Sequence, residues 1–445
     1  MPHFAALKRN LKETLNNSSS QAGFADWDGM QGAKRSNSGT IASICNAAAR
    51  PSPQIPAARG VVQRFLTTLH TAALCLAAFG MGTGAALADI RIGSTVSASG
   101  MAAFLGEPEA QTLKMLVEDI NAAGGINGEK IKLIAYDDAG DANKARTFAT
   151  RLIEDDEVVA IVGGTTTGTT MAIVPVVEEA GVPFISLAGA IEIIRPVRKH
   201  TFKTPHTDRM ACAKIFEDMK KRNLLRIGLL AGTDSFGASM RKQCMEIAKE
   251  YSIEIVGNET FAPNDADMTP QLTNLKNQQG IQSILVLGLG AGPSVATRNY
   301  AQLAIKLPLY QSHGVASDAF IELAGAKAAE GVRLPGTALL VADLLTENDP
   351  QRKVAQAYKK RFESTTGKPA STFGGYAHDA LYLMVDAIRR AGVDASPAIR
   401  DALENTKGFV GTTGIVTMSP TDHLGLDLSA FRMLEIKNGK WVLVE

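Results

Sequence analysis

Short β-branched runs alternate with stretches of helical spacing along most of the chain, and glycine, proline and asparagine mark the joins. Val158 to Val162 is short, apolar and bounded by glycine, which predicts a buried parallel strand. Thr169 to Ala180 then carries helical spacing through Ile173, Val176 and Val177, and Gly181 ends the helix. Pro183 to Ser186 repeats the strand. Strand, Thr/Gly loop, helix, strand and Ala/Gly loop therefore form one βαβ unit. Both loops fall at the carboxyl edge of the sheet, where open α/β sheets bind ligands.

The same alternation extends in both directions. Strands are predicted at Asp89 to Ser94 and Lys130 to Asp137, with a helix over Glu109 to Ala123 stopped by Gly124-Gly125 and another capped by Asp141. A second series predicts helices at Asp208 to Arg222, Phe236 to Tyr251, Thr269 to Gln279 and Pro293 to Leu303. Its strands are Arg226 to Leu230, Glu254 to Phe261, Ser283 to Leu287 and Pro308 to Gln311. Late helices follow at Pro350 to Ser364, Gly374 to Ala391 and Ser396 to Asn405. The tail reads as strands over Gly414 to Met418, Phe431 to Lys437 and Lys440 to Val444, with a turn at Asn438-Gly439. The fold class is α/β, with two doubly wound parallel-sheet lobes.

Gly163 to Thr170 has the spacing of a phosphate-binding loop, but Thr169 stands where such a loop needs lysine. A polyphosphate requires a point cation. Hydroxyls from Thr165, Thr166, Thr167, Thr169 and Thr170, with helix N-terminal amides, suit a single carboxylate. The alternative is structural, with Thr167 or Thr169 serving only as an N-cap.

Composition adds bounds. The chain has 445 residues, is 45% hydrophobic and carries a net charge of +1, enough to bury two domains and without the basic excess of a nucleic-acid binder. Residues 1–60, with scattered Ser, Asn, Gly and Pro, read as an N-terminal extension that is disordered or lies upstream of the true translation start. Residues 61–88 read as a signal peptide: Arg59 and Arg64, an apolar core near Ala72 to Phe79, then small residues with cleavage after Ala88. That places the mature protein in the periplasm. Its apolar core is too interrupted by glycine for the roughly 20 residues of a spanning helix. Cys212 and Cys244 remain in the mature chain, and spacing leaves open whether they pair.

Catalytic readings fail on particulars. Gly288 to Gly292 opens a helix after a strand, but Pro293 takes the place of the third glycine in a dinucleotide fingerprint. No G-x-S-x-G or H-E-x-x-H occurs, and the seven histidines are dispersed. Asp137, Asp138 and Asp141 are read as a strand end feeding a capped helix. No catalytic residue, metal or cofactor is expected.

Several stretches resemble a known family. IRIGSTVSASG from Ile90, VEDINAAGGINGEKIKLIAYDDAGDANKA, IVGG, GVPFIS and the late GGYAHDAL look like the leucine/isoleucine/valine-binding type of periplasmic binding protein of ABC importers. The resemblance covers essentially all of the mature chain. It implies two lobes, 89–206 plus 337–417 and 207–336 plus 418–445, joined by three hinge crossings and closing on a ligand. It also implies a monomer that docks on membrane permease subunits. Carried over by position, the ligand loops are Thr166, Thr167 and Gly168, and Ala188, Gly189 and Ala190. A cleft loop at 97–106 brings Phe104 or Leu105, and the second lobe contributes Phe236, Gly290 and His313. His313 stands where amino-acid binders of the family have a glutamate for the ligand ammonium. The expected ligand bears a carboxylate and is an amino acid or an aromatic or aliphatic organic acid. The reading leans to an acid without an α-amino group, stacked near Phe104, Phe236 or Phe373. A ligand-sensing regulator on the same fold is the alternative function.

Overall fold

The computed structural model describes residues 89–392 and 396–444. The expected extension and signal peptide, residues 1–88, lie outside the described residues.

The first sheet is wholly parallel. Strands β1 (Ile90–Val96), β2 (Ile131–Asp137), β3 (Ala160–Gly163), β4 (Phe184–Ser186) and β5 (Thr201–Lys203) lie in the order β2-β1-β3-β4-β5. The side chains of β3 alternate between two cores: Ala160 and Val162 face one, Ile161 the other. Helices α1 (Ala103–Ala122), α2 (Ala142–Glu154) and α3 (Thr167–Ala180) connect the strands. Asp141 caps α2 through bonds from the Asn143 and Lys144 N–H groups, and Asp138 is buried accepting from the Thr95 and Ser97 hydroxyls. The acid run is structural, as the strand-to-cap reading held.

One helix begins earlier than its sequence suggests. α1 starts at Ala103 rather than Glu109 and continues through Pro108. Proline forfeits its own N–H bond to Phe104, but burial of Leu105 and Gly106 keeps the preceding turn in place. Phe104 and Leu105 therefore sit on a helix and not on a cleft loop. Gly125 ends the helix at φ +75°, where an added Cβ would collide with the Glu129 carbonyl.

The chain leaves the first sheet at β5 and builds a second one. Helices α4 (Asp208–Lys221), α5 (Ser235–Ile247), α6 (Thr269–Lys276), α7 (Ala291–Gln302), α8 (Asp318–Ala324) and α9 (Ala326–Ala329) surround it. Its strands β6 (Arg226–Gly232), β7 (Glu254–Phe261), β8 (Ser283–Leu287), β9 (Leu309–Gln311) and β10 (Arg333–Gly336) are parallel. After β10 the chain returns to the first core with α10 (Arg352–Thr366), α11 (Thr372–Ala391) and α12 (Ser396–Glu404). Phe362, Leu381, Met384 and Ile399 join Ile92, Leu113 and Ile120 in one cluster.

The predicted strand over Gly414 to Met418 shrinks to two residues. β11 (Phe409–Val410) and β12 (Ile415–Val416) form a separate small hairpin. The reason is Asp379, a buried carboxylate on α11 that accepts from both the N–H and hydroxyl groups of Thr412 and Thr413. Backbone spent on that carboxylate cannot extend a ladder. The chain then crosses again, and β13 (Arg432–Lys437), antiparallel to β10, and β14 (Lys440–Leu443), antiparallel to β13, close the second sheet. Asn438 and Gly439 both have positive φ, as a two-residue hairpin turn requires.

Cys212 on α4 and Cys244 on α5 are joined by a disulfide, 32 residues apart in sequence. The bond ties together the two helices that bury Ile215, Phe216, Met240 and Ile247. Replacing both cysteines by alanine is expected to lower stability by about 2–4 kcal/mol, as for loops of this order. Urea unfolding of wild type and double variant measures it; coincident midpoints would mean the bond contributes nothing.

Candidate functional site

The carboxyl ends of β3 and β4 point at a cleft whose other wall comes from the second sheet. The first loop is sorted by one cap. Thr166, extended at φ −108°, accepts the Thr169 N–H with its hydroxyl, and the Thr169 hydroxyl returns to the Thr166 backbone in a capping box. The N-cap is thus Thr166, not Thr167 or Thr169. Thr170 donates to the Gly164 carbonyl at 2.7 Å and meets Ser186 at 2.8 Å. Thr165 accepts the Ser97 N–H and donates to Glu109. Of the five hydroxyls proposed for anion binding, Thr167's alone is buried without a partner. The N–H groups of Thr167 and Gly168, in the first helical turn, have no intrahelical carbonyl to meet.

Thr167 opens on a cavity of about 30 Å³, lined also by Leu105, Thr166, Gly189, Phe236, His313 and Phe373. In this measure about 10–15 Å³ admits one water, so the space suits a group the size of a carboxylate. It adjoins a wider cavity of about 350 Å³ that shares Thr166, Thr167, Phe236 and Leu289 and adds Gly168, Met101, Pro263 and Gly290. Thus Thr166, Thr167, Gly189, Leu105, Phe236, His313 and Phe373 come together, while Gly168 and Gly290 lie at the outer opening. Three expected residues do not line either cavity. Ala188 and Ala190 turn their methyl groups into a cluster with Ile193, Ile194 and Leu424, because the loop backbone twists to present Gly189. Phe104 packs edge-on behind Phe373, with centroids 5.7 Å apart, since it stands on α1.

Sequence reasoning missed Leu187, Pro205, Leu289, Gly314 and Tyr376 on the inner wall. Tyr376 was accessible to it: it follows Phe373 by three residues, on the same face of α11. Its hydroxyl is buried and unpartnered, and the His313 ring nitrogens meet only the His206 backbone.

Electrostatics sharpen the picture. Burial first, then the nearby His206 and Lys203, hold the His313 imidazole well below its ordinary pKa, so it is neutral. It cannot serve as a standing cation. Burial also raises Glu109 well above the carboxylate range, with the Thr165 hydrogen bond opposing. No acid lines the inner cavity. Among the described residues no cluster of His, Cys, Asp or Glu is placed to hold a metal ion.

The two walls touch. A Cβ added to Gly189 would lie 2.9 Å from both His313 Nε2 and Phe236 Cε2, and one added to Gly168 3.5 Å from Ser235 Oγ. The cleft is closed, with glycines of the first wall seated against side chains of the second.

Two α/β lobes, crossed three times by the chain and closed over loop ends of parallel strands, define a ligand clamp. The chain belongs to the periplasmic binding protein family, whose match runs over residues 89–440. The Leu/Ile/Val-binding protein homolog 7 of Brucella abortus is 34% identical over 218 residues, 47% of this chain and 54% of that protein. The chain so spans about half the length of that relative. An extracellular ligand-binding receptor from Rhodopseudomonas palustris HaA2 is 30% identical, with a TM-score of 0.75 over 80% of this chain and 100% of the receptor. The branched-chain amino acid transporter substrate binding protein LivJ from Streptococcus pneumoniae, solved with isoleucine, is 26% identical. Its TM-score is 0.71 over 80% of this chain and 99% of LivJ. The fold is that of the type I, Leu/Ile/Val-binding group, a family of substrate-binding proteins and not of enzymes.

Gly189→Ala tests the closed geometry. Overpacking of this kind costs about 1–3 kcal/mol, and here the cost falls on closure. The variant should bind its ligand about tenfold or more weakly while melting, ligand-free, at the wild-type temperature. Unchanged affinity would mean that Gly189 and the opposite wall do not meet in the bound form.

Proposed function

We propose that this chain is the extracytoplasmic solute-binding component of an ABC importer, clamping a small organic acid that lacks an α-amino group and delivering it to a permease. One observation carries the reading: the Thr167 and Tyr376 hydroxyls are buried and unpartnered beside the His313 ring, around an inner cavity lined by no acid. A buried polar group without a partner costs about 1–3 kcal/mol, so the ligand is the group that satisfies them. A carboxylate accepts from both hydroxyls, from the first-turn N–H groups of α3 and from one His313 nitrogen. An ammonium finds no carboxylate partner on the inner wall and is costly to bury.

The ligand's body extends from the inner cavity past Phe236 towards Gly290 and Met101, where Phe236, Leu289 and Pro263 offer apolar surface and the one acid, Asp234, is engaged by the Phe236 and Gly237 N–H groups. Hinge bending occurs in the crossings between β5 and α4, around β10, and between β12 and β13. The periplasmic location rests on the signal peptide read at 61–88, and the protein acts as a monomer.

The isoleucine-bound relative makes a branched-chain amino acid the natural competitor. Calorimetry with benzoate, leucine, isoleucine and valine decides between them. Benzoate is expected to bind at least tenfold more tightly than the amino acids. Thr167→Val removes a hydrogen bond to a charged acceptor, worth about 1.5–3 kcal/mol, and should weaken benzoate by roughly ten- to a hundredfold. Leucine binding tighter than benzoate, and indifferent to His313→Ala, would overturn the organic-acid reading.

Solution scattering tests the clamp separately. The radius of gyration should fall when benzoate is added to saturation, because the bound form brings Gly189 against Phe236 and His313. An unchanged radius would count against hinge closure.

A further inference from the structure

We infer that Lys203 is a positioning residue for the ligand carboxylate, holding the Gly189–Ala190 peptide with its ammonium and supplying the positive charge that the cavity wall lacks. The inference rests on the carboxylate reading of the site. Lys203 ends β5 with no exposed surface. Its Nζ donates to the Gly189 carbonyl at 2.8 Å and the Ala190 carbonyl at 3.2 Å, and reaches the His206 carbonyl at 3.5 Å. All three acceptors are neutral. Asp208, the acid that bears on it, spends its carboxylate on the Ile191 and Arg209 N–H groups and the Ser239 hydroxyl. A buried ammonium hydrogen-bonded to carbonyls alone, with Asp208 acting on it only through space, is an incompletely compensated charge that an anion arriving nearby stabilises further.

The loop transmits that charge. The Gly189 carbonyl is drawn to Lys203 and to the Asp208 N–H at 3.0 Å. In a trans peptide the N–H points opposite the carbonyl, so the Ala190 N–H turns away from the lysine, next to Gly189, which lines the cavity. Ammonium, carbonyl and N–H thus line up as a polarised series ending at the anion.

The two histidines nearest in charge terms are both neutral near pH 7. His206, on the same crossing, is pushed down to about 3 by burial and by Lys203 itself, and His313, beyond β9, is held well below its ordinary value. His423, from the third crossing, accepts the Lys203 backbone N–H through its carbonyl, while its ring bonds the Thr201 carbonyl and Glu404. Burial, against attraction from Asp208, lowers Lys203 itself to about 7. A bound carboxylate favours the charged form and raises it again. Below pH 7 the ammonium is present before and after binding. Above pH 7 binding must take up a proton, and affinity falls.

The test uses benzoate and leucine as probes, both of which carry a carboxylate, in calorimetry from pH 6 to 8.5. Wild type should lose about tenfold in affinity across that range. Runs at pH 8 in buffers of different ionisation enthalpy should show uptake approaching one proton. Lys203→Arg, whose guanidinium stays charged, should bind with no pH dependence. Lys203→Met, checked for an unaltered circular dichroism spectrum, should bind weakly at every pH. Flat affinity with no proton uptake in wild type, or wild-type affinity in the methionine variant, overturns the inference. If leucine binds and benzoate does not, the organic-acid reading falls while the lysine is still judged on leucine.

Discussion

A hydrogen-bonding group removed from water must find another partner, and that constraint decides what the loops above the first sheet can do. Five threonines in a row of six residues could all have offered hydroxyls to a ligand. Thr166 and Thr169 satisfy each other in capping α3, Thr170 ties the turn to Gly164 and Ser186, and Thr165 anchors Ser97 to Glu109. What remains is one hydroxyl, at Thr167, beside the free N–H groups of a helix start. The rigidity of the loop and the selectivity of its donor come from the same set of bonds. A threonine-rich loop with every hydroxyl free would bind an anion with more donors but hold none of them still.

The opposite wall is fixed by different means. Phe236 stands on α5, and α5 is held to α4 by the disulfide and by the Ser239–Asp208 hydrogen bond. Asp208 also accepts the Ile191 N–H, so a residue next to the first lobe's ligand loop and the helix of the second lobe share one carboxylate. Lys203 sits behind the same loop. The first hinge crossing is therefore a polar joint as well as a flexible connection, and loop and Phe236 cannot move independently of it. His206 stacks on Phe431 at 3.8 Å and Phe431 meets His313 edge-on at 5.5 Å, which carries the second wall back to the third crossing.

Periodicity made the framework legible. The order of strands and helices, both ligand loops and the closing Asn438-Gly439 hairpin follow from local pattern, because each element's apolar spacing matches the face it buries. The family resemblance, carried over by position, led to Phe236, His313 and Gly189. Which threonine caps α3 was not legible, since any of three hydroxyls satisfies the local rule and only the φ of Thr166 distinguishes them. Ala188 and Ala190 were misplaced because a loop's side-chain directions depend on its backbone twist, and the early start of α1 was hidden behind Pro108. Lys203 left a faint trace, a lone charge in the otherwise uncharged run Thr201 to Thr204, yet its partners are carbonyls 13 and 14 residues away. Such a contact has no sequence period.

Closure and recognition draw on the same atoms. An open cleft would let water reach the cavity-lining Thr167, Tyr376 and His313 and lower their desolvation cost. With it closed and no ligand inside, that cost returns in full, offset only by the apolar contact of Gly189, Phe236 and Phe373. On the proposed reading, a carboxylate favours the closed form because it interacts with these groups chiefly when both walls are present. A ligand that met only the Thr/Gly loops would bind open and closed forms alike and shift nothing. The polar atoms of the second wall, His313 above all, are what convert occupancy into a change of shape. They also explain why a neutral histidine is useful there: it offers a hydrogen bond across the cleft without a charge whose burial would itself oppose closing.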